Sequence, residues 1–332
     1  MRRLALVALA LVLVAVIAVG TAFVLESRAA PGGRPTALVI DPGESVGQAI
    51  DALGAAQVIR APLLFKAYAE LRGIGTVQAG VYFLQTNESY QHALASLEGG
   101  PSSLRIVVYP GETIREIADS LAAVPGEGTG GAAFLRVVAN PAPFHSPFLP
   151  HGASTLEGLL YPETYFVDPL GTAREIVREM VDRATQEFEA AGLEPTTRHD
   201  GLTAYQLIIA ASIVQREASS KPSEAKVARV ILNRLAQHMP LEMDSTVRYA
   251  TDNLRNPITG TQLRDPSLYN TYVHTGLPPG PIGAVSVEGI AAMLHPARGD
   301  WLYFVALRHH HHLSFFDTYA AQQAAIARYG VR

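Results

Sequence analysis

Hydrophobic and polar positions alternate along this chain with several different periods, and each period predicts a different element. Leu4 to Leu25 is uncharged and almost wholly apolar. At about 1.5 Å per residue it spans roughly 30 Å, the thickness of a bilayer core. It also exceeds the ~7–15 residues of a secretory apolar region. Arg2 and Arg3 precede it. The pattern predicts an uncleaved signal anchor (residues 1–28), a single pass through the plasma membrane with those arginines on the cytoplasmic side and the remaining chain extracytoplasmic. Ala29 to Thr36, AAPGGRPT, reads as a flexible tether.

Beyond the tether the period shortens and a motif repeats. VIDPGESVGQAIDAL (Val39 to Leu53) matches VVYPGETIREIADSL (Val107 to Leu121). Each copy predicts a strand, a PGE turn and a helix beginning at Ser45 or Thr113, with Ile50 and Leu53, or Ile117 and Leu121, as the apolar stripe. Two copies are too few for a solenoid. Between them, Ala61 to Leu71 and Tyr90 to Leu97 read as helices and Gln78 to Leu84 as a strand. Strand-turn-helix units of this kind resemble LysM-like, glycan-binding modules, and a plain positioning scaffold is the competing reading. Glycine-rich residues 126–131 and proline-rich residues 140–152 mark a boundary, giving predicted divisions at 36–102, 103–153 and 154–332.

The last division carries helical periodicity over Ala173–Ala190, Thr203–Ala218 and Ser223–His238, the last capped by Ser223 with Val227, Val230, Ile231 and Leu235 inward. Pro240 to Gly283 is polar, Pro/Gly-rich and irregular, a pattern typical of a binding surface. Trp301 to Leu307 reads as a strand and Thr318 to Tyr329 as a helix. The predicted fold class is α+β: an N-terminal transmembrane helix, a LysM-like α+β subdomain, then a larger α+β catalytic domain.

Within that domain TAYQLIIAASIVQREA (Thr203 to Ala218) holds the first candidate for chemistry. Thr203 and Gln206 form a capping box, and Leu207 to Val214 is apolar apart from Ser212. Ala210, Ile213 and Val214 lie on one face with Glu217. A glutamate on an apolar face loses hydration, which favours its protonated form and suits a general acid. The alternative is a buried carboxylate paired with Arg216 or Arg234.

Composition narrows the classes. A formal net charge of −4 over 332 residues gives no electrostatic case for nucleic acid. The absence of cysteine removes disulfides and thiolate metal sites. His309 to His312 are adjacent and cannot all converge on one ion, so no metal and no cofactor is expected.

Four motifs occur in order: LEGLLYPETYF (Leu156 to Phe166), IIAASIVQREA, LEMDSTVRYA (Leu241 to Ala250) and SLYNTYVHTGLPPGPIG (Ser267 to Gly283). Together they resemble the MltG (YceG-like) family of membrane-anchored endolytic murein transglycosylases. The resemblance implies cleavage of the β-1,4 bond between MurNAc and GlcNAc in peptidoglycan strands without water, beside peptidoglycan synthases. Glu217 matches the family's catalytic glutamate. It would protonate the glycosidic oxygen, then take the proton of the MurNAc C6 hydroxyl as a 1,6-anhydro ring closes. A hydrolase ordinarily needs two carboxylates. An internal nucleophile at high effective concentration allows one.

Asp244 is a candidate supporting carboxylate or a cap, with Thr246 close behind it. Glu157 is a candidate to orient Glu217 or a sugar hydroxyl, or a turn ligand. Tyr269, Asn270, Thr271 and Tyr272 offer aromatic faces and polar edges for a pyranose, or else pack a long loop. The chain departs from the family pattern in several places. Where the family shows Gln, a small residue and Asp-Pro-Thr-Val, this chain has Glu242, Met243, Asp244, Ser245, Thr246 and Val247. The Asn-Pro-Gly turn that commonly follows PPGPI in the family is here Ala284, Val285 and Ser286. Leu313 stands where the family has a histidine two residues before a phenylalanine, with His312 one step earlier, and Ala321 and Gln322 replace a closing Glu-His. Two rivals remain at this level: a non-catalytic membrane-tethered glycan-binding scaffold, and a water-using muramidase.

Overall fold

Antiparallel pairing of two half-buried strands organises the first of two units in the computed structural model, which describes residues 33–331 except 103, 123, 125–127, 169–170, 219 and 309–311. Before residue 33 only Leu13, Val14, Ile17, Gly20, Thr21, Phe23 and Val24 are described, so most of the predicted anchor Leu4–Leu25, like His309–His311, lies outside the described residues. Among the described residues no helix is long and apolar enough to cross a membrane. One unit ends at Leu104 and the other begins at Arg105.

In the first unit β1 (Pro35–Ile40) pairs with β2 (Gly80–Gln85), Ile40 opposite Gly80. Leu38 and Ile40 are buried while Ala37 and Val39 face outward, the two-residue period of a strand with one covered face. Helices α1 (Val46–Ala55), α2 (Pro62–Arg72) and α3 (Tyr90–Gly99) supply Ile50, Leu53, Phe65 and Leu97 to the same core. Ser45 and Gln48 close a capping box on α1. The Tyr90 phenol donates to the Ala61 carbonyl at 2.9 Å, so its buried ring keeps a hydrogen bond.

The other elements belong to the second unit, apart from Leu104 at the start of β3. β3 (Leu104–Val107) pairs with β4 (Thr164–Val167) beyond α4 (Ile114–Leu121) and α5 (Gly131–Val138). Helix α6 (Ala173–Ala190) and the short ribbon β5 (Arg198–His199) and β6 (Leu202–Thr203) lead into α7 (Ala204–Glu217). After it come α8 (Lys221–Ala236), α9 (Asp244–Ala250), α10 (Val287–Leu294), the hairpin β7 (Tyr303–Val305) and β8 (Ser314–Phe316), and α11 (Tyr319–Tyr329). This is a mixed α+β fold.

Helix α7 is the axis of this unit. Residues 207–214 are all buried, with α8 and α10 packed against it. Its one polar residue there, Ser212, donates to the Ile209 carbonyl at 2.7 Å and accepts the Ile282 N–H at 3.0 Å, so a buried hydroxyl ties the PPGPI segment to the helix. Gly158 has φ +79°, and a Cβ there would run into the Pro281 ring. The LEGLLYP and GLPPGPIG motifs thus meet on α7.

Several boundaries differ from the sequence pattern. Helix α8 starts at Lys221 with Ser220 at the cap, not Ser223, because Pro222 is preorganised for a first turn and lacks the N–H that would be orphaned there. It stops at Ala236, with His238 at φ +55°. The irregular stretch after Pro240 contains α9, and α5 and α10 are short helices the periodicity does not announce. The strand read over Trp301–Leu307 contracts to three residues.

Candidate active site

Glu217 is the last residue of α7, and the chain turns extended at Ala218. Its carboxylate opens onto a cavity of about 510 Å³ shared with Asp244, Tyr272, Glu242, Arg234 and Tyr303. The Ser245 backbone N–H donates to Oε1 at 3.1 Å. Burial raises the proton affinity of this carboxyl above that of an ordinary glutamate. Hydrogen bonding from Ser245 and the Arg216 charge oppose the rise, and the Asp244 charge adds to it.

The two arginines that stood as partners for Glu217 are engaged elsewhere. Arg216 Nη1 donates to the Gly111 carbonyl at 2.5 Å and lies 3.3 Å from Glu116 Oε2. Arg234 donates to the carbonyls of Leu302, Pro240 and Leu241 and pairs with Glu242 at 2.8 Å. The second PGE turn therefore braces the end of α7. Gly111 has φ +85°, its N–H donates to Ala284 at 2.8 Å, and the Ala284 N–H returns to Glu112 at 2.7 Å.

Asp244 opens α9 as its first residue, and its side chain is exposed to the cavity. The Tyr272 phenol donates to Asp244 Oδ1 at 2.7 Å. Burial first, then this bond and the Asp244 charge, push the phenol's own proton affinity up, so Tyr272 remains a donor. Of the residues singled out in the sequence, Glu217, Asp244 and Tyr272 are thus brought together around one cavity.

The other candidates are not among the residues lining this cavity. Thr246 is fully buried. Its hydroxyl donates to Met243 at 2.7 Å and lies 2.8 Å from the Thr271 hydroxyl, which accepts the Met243 N–H at 3.0 Å. This clasp sets the start of α9. The Asn270 amide is buried and donates to Leu263 and Asp265, while its oxygen accepts the Tyr272 N–H at 3.0 Å, so it aims Tyr272. Tyr269 packs on Tyr249 with centroids 4.9 Å apart. Glu157 takes the turn-ligand alternative: its carboxylate accepts the Ile114 N–H at 3.1 Å and the Tyr249 phenol at 3.2 Å. Burial lifts its proton affinity to a pKa of about 8, against weaker lowering by those bonds and by Arg216.

The far wall of the cavity went unread in the sequence. Tyr303, Phe304, Leu313, Tyr319 and Gln322 form it, from the last hairpin and α11. The available signal was indirect, since Leu313 and Gln322 are two of the positions that depart from the family pattern. A larger cavity of about 830 Å³ is lined by Tyr205, Arg229, Asn233, His238 and Pro278, and it does not include Glu217.

In the second unit a central helix thus delivers one half-buried glutamate, its proton affinity raised, to a polar and aromatic cleft, which is the arrangement of an enzyme active site with a general acid. The YceG-like family matches residues 38–328, and the chain belongs to that family. An endolytic murein transglycosylase of Bacillus subtilis is 29% identical over 280 residues, 80% of this chain and 77% of the relative. One from Streptococcus pneumoniae is 28% identical over 297 residues, 80% of this chain but 53% of the relative, so the chain spans about half of that longer protein. The crystal structure of a putative YceG-like protein from Listeria monocytogenes superposes with a TM-score of 0.62 at 27% identity, over 87% of this chain and 98% of the other.

Proposed function

We propose that the chain is an endolytic murein transglycosylase and that Glu217 is its acid/base. The observation that carries this reading is the Glu217 carboxyl itself, which opens onto a cleft, has its proton affinity raised by burial, and is ion-paired to neither neighbouring arginine. In the first step the Glu217 proton passes to the glycosidic oxygen as the C1–O bond of MurNAc breaks. In the second, the C6 hydroxyl oxygen of the same MurNAc bonds to C1 and its proton returns to Glu217. No water enters, and the enzyme ends in its starting protonation state. One carboxyl suffices because the nucleophile belongs to the substrate. The Asp244 carboxylate, held by Tyr272, offers negative charge to an oxocarbenium-like transition state and helps Glu217 keep its proton.

Further parts of the proposal rest on the sequence pattern: a single-pass anchor over Leu4–Leu25, an extracytoplasmic position in the plasma membrane, a LysM-like glycan-binding role for the first unit and work beside peptidoglycan synthases. The central test is chemical. Purified residues 36–332 should release 1,6-anhydro-MurNAc ends from uncrosslinked glycan, and Glu217→Gln should abolish them. Reducing MurNAc ends would mean a hydrolase, no cleavage a scaffold, and full activity in Glu217→Gln would remove the assigned acid.

A further inference from the structure

We propose that Ser245 is a positioning residue for Glu217: its backbone N–H, donated to Oε1, confines the transferable proton to Oε2 and steadies the carboxylate in the ionised half of the cycle. The inference rests on the reading of Glu217 as acid/base and goes beyond it, because it concerns which oxygen reacts and what holds the other.

The geometry is specific. Among the described residues it is Ser245 that bears on the Glu217 carboxylate as a donor: its backbone N–H lies 3.1 Å from Oε1, while its buried hydroxyl also favours the anion without completing a well-formed hydrogen bond. An N–H can only donate. Oε1 must therefore be the acceptor in both protonation states, the carbonyl oxygen of the acid and one oxygen of the anion. The proton of the neutral acid then belongs on Oε2. A carboxyl with two equivalent oxygens would present its proton in the productive direction only part of the time, so fixing one oxygen is orientation. The same bond acts after proton transfer. Burial and the Asp244 charge disfavour the anion, and the N–H is a fixed partner that offsets them.

The N–H is free for this task because Ser245 lies in the first turn of α9, where backbone N–H groups have no partner within the helix. The buried clasp between Thr246 and Thr271, with Met243 bonded to both hydroxyls, holds that turn in place. The chain also departs from the family pattern at this position, with serine where proline is usual, and proline has no N–H to give. The charged and titratable groups around Glu217 are Arg216 on α7, Asp244 on α9, and Tyr272, Glu242, Arg234, Tyr303 and Tyr319 across the cavity. None of these side chains donates to the carboxylate, which takes its hydrogen bond from the Ser245 N–H.

Ser245→Pro tests the proposal with Ser245→Ala as its reference, since both lack the hydroxyl and only proline lacks the N–H. Loss of a donor to the anion raises the proton affinity of Glu217. The alkaline limb of kcat for anhydro-end release, where the general acid loses its proton, should therefore lie roughly one pH unit higher in Ser245→Pro than in Ser245→Ala. Lost orientation should lower kcat by about tenfold with little change in KM. A second measurement does not depend on how proline folds. In the full chain labelled with 15N at serine, the Ser245 amide, identified by its absence from Ser245→Ala, should shift along the Glu217 titration and cease to do so in Glu217→Gln. Coincident alkaline limbs in the two variants, or a Ser245 amide indifferent to pH, would overturn the proposal while the wild type stays active. A wild type that releases no anhydro ends overturns the parent reading, and this one with it.

Discussion

Glu157 is a second buried carboxyl, and its consequences differ from those of Glu217. It faces backbone and a phenol, not the cavity, and burial holds its pKa at about 8 against an ordinary 4.5. Below pH 4.5 the folded and unfolded chains both carry the proton. Between there and pH 8 the unfolded chain releases it while the folded chain keeps it. Stability is therefore fully present at the acid end and falls as pH rises, by up to about 1.4 kcal/mol per pH unit from this group. Glu157→Gln keeps an acceptor for Ile114 and cannot ionise. Urea unfolding between pH 5 and 8.5 should show a smaller loss of stability in that variant than in the wild type, and parallel curves would refute the protonated assignment. In the sequence, Glu157 was equally a substrate ligand or a turn ligand, because polarity and spacing do not tell which way a carboxylate beside a left-handed glycine points. The Ile114 N–H and the Tyr249 phenol, brought to it from segments distant in sequence, decide it.

Helices were legible where caps and stripes agree. Thr203 with Gln206 on α7, Ser45 with Gln48 on α1 and Thr113 with Glu116 on α4 all form capping boxes where the residues suggest them. Helix α9 was hidden because Asp244, Ser245 and Thr246 serve equally as turn residues and as a first helical turn, and α10, VEGIAAML, is apolar on nearly every side, so no stripe stands out from a polar face. The two ends of α7 predict different outcomes. Thr203→Ala removes a cap far from the carboxylate, so it should cost about 0.5–2 kcal/mol and leave cleavage at permissive temperature unchanged. Ile213→Ala opens space in a fully buried position one turn before Glu217. It should cost about 2–5 kcal/mol and also lower kcat, since the helix end that aims the carboxylate repacks. Thermal melts paired with kcat at a temperature where both variants are folded separate the two, and equal kcat losses would argue against an aiming role for the helix.

At the scale of the whole molecule, the site joins segments that are distant in sequence, which is why its far wall stayed unread. Glu217, Asp244 and Tyr272 belong to motifs, whereas Tyr303, Phe304 and Tyr319 reach the cavity through a late hairpin and helix with no motif to flag them. Every residue lining the cavity lies between Glu217 and Val331, and the turn that braces Arg216 begins at Tyr109. All of these lie beyond Leu104, in the second unit. The first unit has its own core around Leu38, Phe65 and Tyr90, so it is able to fold around contacts of its own. If it serves as a glycan-binding module, its contribution is a second point of attachment on a long strand. That lowers KM without touching the transition state. A chain lacking residues 33–102 should then keep kcat, with KM on long uncrosslinked strands raised about tenfold or more. KM on the shortest cleavable strands should stay near the wild-type value, because a short strand cannot reach both units. Counting anhydro ends against strand length measures all three. An unchanged KM on long strands would leave the first unit as a scaffold, and a lost kcat would mean that it helps to build the catalytic cleft.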